Sequence, residues 1–142
     1  VEILTVDNHC DGAYLHQRMI EENHPRAQQV REMLEWNGGA RYSSGVGISN
    51  IDFNGNVHSD QFSMYRTFGN VLDRPFSEIW QDTSNEVMAG LKERLGLLNG
   101  RCQECKYLNL CGGGLRARAE VVTGDPWAAD PGCYLSDAEI AR

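Results

Sequence analysis

The stretch RCQECKYLNLCGGGLRARAE runs from Arg101 to Glu120. It sets Cys102, Cys105 and Cys111 within ten consecutive residues and follows them with Gly112, Gly113 and Gly114. Two cysteines separated by two residues are the commonest way for one loop to offer a pair of thiolates to a metal. Cys111 is near enough along the chain to reach the same centre. The glycines let the backbone pass close to a bulky group and turn N–H groups toward anionic sulfur. A fourth thiolate must come from elsewhere. Cys133, presented by the turn Asp130-Pro131-Gly132, is the natural candidate, and Cys10, distant and alone, is its rival. Three chemistries compete for this set. A structural zinc ion accepts four thiolates. An iron–sulfur cluster takes the same ligands, tolerates the wider second spacing and gains more from the glycines. Disulfides or free thiols need no metal, but five cysteines are an odd number and four of them lie in the last third of the chain.

Other polar residues have weaker claims. His58 and Asp60 follow a hairpin turn and read either as a solvated strand end or as groups facing a substrate. Arg116 and Arg118 follow the glycines, and a guanidinium pairs well with carboxylates. A surface position is the simpler reading for Arg118, so Arg116 is the substrate candidate. His9 and Cys10 could ligate iron, though a loop histidine is more often solvated. Trp36, Trp80 and Trp127 read as packing residues.

The elements that must hold these groups give an α+β fold: a small β-hairpin, flanking helices and a loop-rich cysteine site. Glu2 to Val6 alternates as a short strand, and DNHCDG then turns the chain. A helix is expected from Tyr14 to Glu22. A clearer one follows Pro25, with Ala27, Val30 and Leu34 on one face, and Gly38 and Gly39 end it. Asn54-Gly55 is a two-residue hairpin signal between Ile48–Phe53 and a return strand from Val57. Pro75 opens a short helix that turns Phe76, Ile79 and Trp80 inward. Thr83 and Glu86 match a capping box ahead of the stripe Val87, Met88, Leu91 and Leu95. A short helix is expected around 115–122, and one helical turn near the end of the chain.

The 142 residues make one ordinary domain or two very small ones. A net charge of −7 argues against nucleic acid as a partner, since phosphate binding needs a positive surface. No stretch approaches the roughly 18 apolar residues of a membrane helix, and no signal peptide is visible, so a cytoplasmic location is expected. The opening VEILTV lacks Met and reads as a strand in progress, as in a fragment of a longer protein.

At this point a resemblance enters. C-x2-C-x5-C-G-G, then Arg116-Ala117, then a last cysteine after Asp130-Pro131, resembles the SPASM domain, the C-terminal auxiliary-cluster domain of many radical S-adenosylmethionine enzymes. GNVHSD (55–60) stands where that domain has a Gly-x-Val-x-Pro-Cys hairpin, and GNVLDRPFSEIW (69–80) resembles its Gly-Asn-Val…Ile-Trp segment. The resemblance covers about residues 44–135. Full SPASM domains hold two 4Fe–4S clusters. Here Ser44, Asp60 and Leu115 stand where three ligands of the first cluster are expected. Cys102, Cys105, Cys111 and Cys133 match the ligands of the second.

The resemblance thus implies a domain with one 4Fe–4S cluster and leaves Cys10 outside it, with zinc as the alternative metal. It adds, for Asp60, replacement of a lost ligand to the solvated and substrate-facing readings. EILTVDNHCDG, MLEWNGG, HSDQF and GDPWAADPGCYL look most like the haem d1 biosynthesis branch, whose enzymes act on propionate side chains of an iron tetrapyrrole. Residues 1–39 would then be the tail of a radical S-adenosylmethionine barrel and 40–142 the auxiliary domain. The C-x3-C-x2-C motif that holds the S-adenosylmethionine-cleaving cluster is absent, so that cofactor and a second 4Fe–4S cluster are expected only in an N-terminal domain. The implied partners are that barrel, the iron tetrapyrrole and an external electron donor. The implied cluster role is electron transfer or shaping of the substrate cavity. Competing readings are a zinc-held interaction module and the corresponding domain of a peptide-modifying relative.

Overall fold

The computed structural model describes residues 8–141, so the strand expected at Glu2–Val6 lies outside the described residues. In chain order the regular elements are α1 (Cys10–Glu21), α2 (Ala27–Asn37), β1 (Asn50–Ile51), β2 (Val57–His58), α3 (Phe76–Gln81), α4 (Glu86–Lys92), α5 (Leu108–Cys111), α6 (Arg116–Thr123) and α7 (Asp137–Ile140), with short 3-10 turns between some of them. This is a mixed arrangement of helices with one two-stranded antiparallel sheet, as an α+β chain requires. It divides into two compact units. One joins the described residues up to Ala40 to those from Leu98 onward; the other is the continuous segment Arg41–Leu97.

In the first unit α1 and α2 pack against each other and both against α5. The helix expected from Tyr14 begins instead at Cys10. The backbone N–H of Asp11 already bonds the carbonyl of Asn8 at 3.1 Å, and Asp11 places a negative charge in the first turn, where the helix dipole favours it. Gly12 allows a close approach: a Cβ there would stand 2.9 Å from a methyl of Leu34 on α2. Gly38 ends α2 in the left-handed region, at φ 71°, with its N–H on the carbonyl of Leu34. Gly39 then runs against α5, where a Cβ would meet the carbonyl oxygens of Leu110 and Cys111. The core of this unit is Cys10, Ala13, Tyr107, Leu110, Leu135 and Ile140, with Leu34, Cys105, Cys111 and Cys133 packed on it. The last turn, α7, is secured by a capping box between Ser136 and Glu139.

In the second unit β1 and β2 pair Asn50 with His58 and Ile51 with Val57. The ladder continues to a bond from Asp52 N to Asn56 O, which leaves Phe53 to Gly55 as the connection. This is a three-residue hairpin closed by Gly55 at φ 85°, not the two-residue turn expected from Asn54-Gly55. The Asp52 carboxylate accounts for the difference: Oδ1 accepts the N–H groups of Asn54 and Asn56, each at 2.9 Å, and so fixes the wider turn. Helix α4 is capped by Asn85, whose side chain accepts from Val87 N and Met88 N, so the Thr83–Glu86 capping box does not form. Val57, Ile79 and Met88 are fully buried here, together with Arg94, which donates to the carbonyls of Ser44 and Leu91.

A thiol-lined cavity as candidate metal centre

Within the first unit, Cys10, Cys102, Cys105, Cys111 and Cys133 all line one small cavity of about 30 Å³, and all five are free thiols. Their positions follow from local geometry. Cys102 closes a 3-10 turn, Gly100–Cys102, and the N–H of Cys105 bonds its carbonyl at 3.2 Å. Cys111 ends α5, after which Gly112, Gly113 and Gly114 hold successive positive φ values of 68°, 85° and 71°. Side chains rarely adopt that run. The space is also closed: a Cβ on Gly113 would stand 2.5 Å from Leu98 and one on Gly114 2.2 Å from Asp130 Oδ2. Cys133 sits on a turn closed by its own N–H on the carbonyl of Asp130, at 3.0 Å.

Backbone N–H groups reach the sulfurs. Tyr107 N lies 3.4 Å from Cys105 Sγ. The N–H of Gly113 serves Cys111, that of Asp130 serves Cys102 and that of Tyr134 serves Cys10. Burial nonetheless pushes the thiols of Cys10, Cys102 and Cys105 up, and that of Cys111 up to about 12. Thiols held protonated this way become ligands only when a cation replaces their protons. The donor set fits a thiolate-bound metal group: soft sulfur, partial exclusion of water, and N–H donors ready to stabilise charge on sulfur. Among the described residues no three His, Cys, Asp or Glu groups converge on a point suited to a single ion; the sulfurs surround the cavity instead.

Asp130 organises the far wall, and sequence reading passed over it. Its carboxylate accepts Leu115 N at 2.8 Å, Gly132 N at 2.9 Å, and Arg118 Nε and Nη2 at 2.6 and 2.7 Å. Burial raises this carboxyl, but Arg118 and the two N–H groups outweigh burial and hold it below its ordinary range. An aspartate ahead of Pro-Gly is a turn signal, and that was the available clue. Arg118, read as a surface residue, is half of this bidentate pair.

The proposed substrate residues are placed as follows. Arg116 is buried, with Nη1 on the carbonyls of Pro126 and Ala128 at 3.0 and 2.7 Å and Nη2 on that of Gly113. Burial pulls its pKa down, against the opposing fields of Cys102, Asp130 and Cys111, so its charge lies close to the thiols. His58 and Asp60 belong to the other unit, and both are buried. His58 Nδ1 is 2.7 Å from Arg66 O and Nε2 is 3.3 Å from Asp52 Oδ2. Asp60 Oδ1 accepts Phe62 N and Ser63 Oγ, while Oδ2 is buried with no hydrogen-bond partner. No helix among the described residues is long and apolar enough to cross a membrane.

A cavity ringed by cysteines and backed by N–H donors defines a thiol-site module. Relatives are found along almost the whole chain. The chain is 53% identical over 142 residues to the Fe-coproporphyrin III synthase of Methanosarcina barkeri, and 44% identical over 142 residues to the pre-heme d1 synthase of Dinoroseobacter shibae. Each match covers 98% of this chain but only 35% and 34% of the relative. An AdoMet-dependent heme synthase of Methanosarcina barkeri is 40% identical over 65 residues, which is 46% of this chain and 18% of that protein. No family model and no solved structure matches. The chain is related along almost its whole extent to these two synthases, and it spans about a third of the length of each.

Proposed function

We propose that this chain is the auxiliary iron–sulfur domain of a radical S-adenosylmethionine enzyme that modifies side chains of an iron tetrapyrrole, as the SPASM-like cysteine pattern implies. The observation that carries the reading is the gathering of Cys102, Cys105, Cys111 and Cys133 on one cavity whose walls supply N–H groups to sulfur. These four thiolates would hold one 4Fe–4S cluster. Such a cluster supplies one-electron chemistry when bound. The protein's own contribution is separable from it. The Gly112–Gly114 run brings backbone close to the sulfurs, Arg116 sets a positive charge beside Cys102 and Cys111, and Leu110, Leu135 and Ile140 exclude water.

In this reading the S-adenosylmethionine-cleaving cluster lies in a barrel outside this chain, electrons come from an external donor, and the enzyme is cytoplasmic. Residues 1–39 would join the barrel to the auxiliary domain. The tetrapyrrole class is supported by what two relatives are named for, a coproporphyrin and a haem d1 precursor. A contact from Arg116 to a substrate carboxylate, or from His58 or Asp60 to another substrate group, requires local opening, because each is buried and held by internal partners.

Anaerobic reconstitution with iron and sulfide tests the metal. About four irons and four sulfides per chain, with a brown protein, are expected. A colourless chain holding a single zinc would overturn the cluster. Titration of an iron porphyrin bearing propionates into the full-length protein tests the substrate. Arg116→Ala should weaken binding about ten- to a hundredfold if a charge-assisted bond is lost. Unchanged affinity would remove Arg116 from the site.

A further inference from the structure

Cys10 lies 122 residues before Gly132, yet its sulfur comes within 3.8 Å of the Gly132 carbonyl, next to Cys133 in the chain, and both cysteines line the same cavity. It is the most enclosed of the five, at 2% exposed, and sits in the core to which Cys105, Cys111 and Cys133 are packed. Tyr134 gives it a backbone N–H, as Tyr107 does for Cys105 and Gly113 does for Cys111. Cys111 lies in the electrostatic field of both Cys10 and Cys133. Cys10 is also the first residue of α1, and its thiol donates to the side-chain oxygen of Asn8 at 3.3 Å.

Cys102, Cys105 and Cys111 come from one short segment. The remaining position of a four-thiolate set must be filled from outside it, and two cysteines from elsewhere in the chain, Cys10 and Cys133, line the cavity. We infer that Cys10 is an exchangeable fourth ligand, able to take the place of Cys133 at the metal centre. The exchange needs no electron transfer: Cys10 loses its thiol proton to solvent as its sulfur binds, and the released Cys133 thiolate takes up a proton. The inference deepens the cluster reading above and rests on it.

The test uses four forms of the chain, unmodified, Cys10→Ala, Cys133→Ala and the double variant, each reconstituted anaerobically with iron and sulfide. The helical circular dichroism signal verifies folding, and Cys133→Ser replaces Cys133→Ala if the latter unfolds. Iron and sulfide content is the first readout. The second is alkylation of Cys10 by iodoacetamide, located by mass spectrometry. Both single variants should keep the full iron and sulfide load, and the double variant should lose it. In loaded Cys133→Ala, Cys10 should resist alkylation until a chelator removes the iron. Loss of iron from Cys133→Ala to the level of the double variant overturns the exchange while leaving the cluster reading intact. So does loss from Cys10→Ala alone, which would make Cys10 obligatory. An unmodified chain that takes up no iron overturns both.

Discussion

Asp130 shows how much of this site depends on one carboxylate. It holds Arg118, the N–H of Leu115 after the glycines and the N–H of Gly132 before Cys133. Asp130→Ala should leave a guanidinium and two N–H groups without their acceptor. The expected loss is about 3 kcal/mol, the low end for a broken buried pair, because Arg118 is itself 31% exposed. Urea unfolding of the metal-free chain measures it, and a change under about 0.5 kcal/mol, typical of a surface site, would contradict this role. Asp52 makes a different statement. Bonds from the Asn56 side chain first, then from backbone N–H groups and His58, hold its pKa at about 2. A depressed carboxyl contributes stability that is present above its ordinary value of 3.8 and lost as pH falls through about 2. Following the Asp52 carboxyl by NMR should therefore give a midpoint near the lower figure; a midpoint at 3.8 or higher would mean the turn is not held this way. Spacing and a turn signal mark Cys102, Cys105, Cys111 and Cys133 in the sequence. Cys10 stands there only as a distant rival, because tertiary packing is what brings α1 to the same cavity.

At the scale of elements, helices with a clear apolar face were readable, but the starts of α1 and α4 were not. Gly38 marked the end of α2 because a left-handed residue suits glycine. The start of α4 was misassigned to Thr83 because several nearby side chains could cap it. Asn85 does so, and Asn85→Ala should cost about 1 kcal/mol. Thr83→Ala should cost nearly nothing. Thermal unfolding of the two variants distinguishes them, and equal losses would contradict the assignment. The hairpin was foreseen from Asn54-Gly55, but its length depends on the Asp52 carboxylate, which a dipeptide signal does not include.

At the scale of the whole chain, the cysteines all belong to one unit and the hairpin to the other. A bound metal group contributes on the order of 10 kcal/mol in small domains, comparable to the entire net stability of a domain. Chelation of the loaded chain should therefore speed amide exchange across 102–115 and 130–135 while protection of the hairpin amides persists. Uniform loosening of both units would contradict the separation, and unchanged exchange at 102–115 would deny the metal its structural role. The division itself was not legible, since composition does not shift at Ala40 or Leu98. What joins the first helices to the last third is the packing of α1 and α2 on α5.

That discontinuity sets an order of events on the ribosome. The chain emerges from its N-terminus, and domains generally fold as units during synthesis. The Arg41–Leu97 segment is continuous and has all its own partners once it has emerged. The unit around it does not. Helices α1 and α2 appear first, yet Tyr107, Leu110, Leu135 and Ile140, which cover Cys10 and Ala13, are made last. Until then Cys10 and Ala13 lack that cover. Metal delivery to the finished cavity must accordingly follow the emergence of Cys133, and a message truncated near Leu98 would lack four of the five thiols.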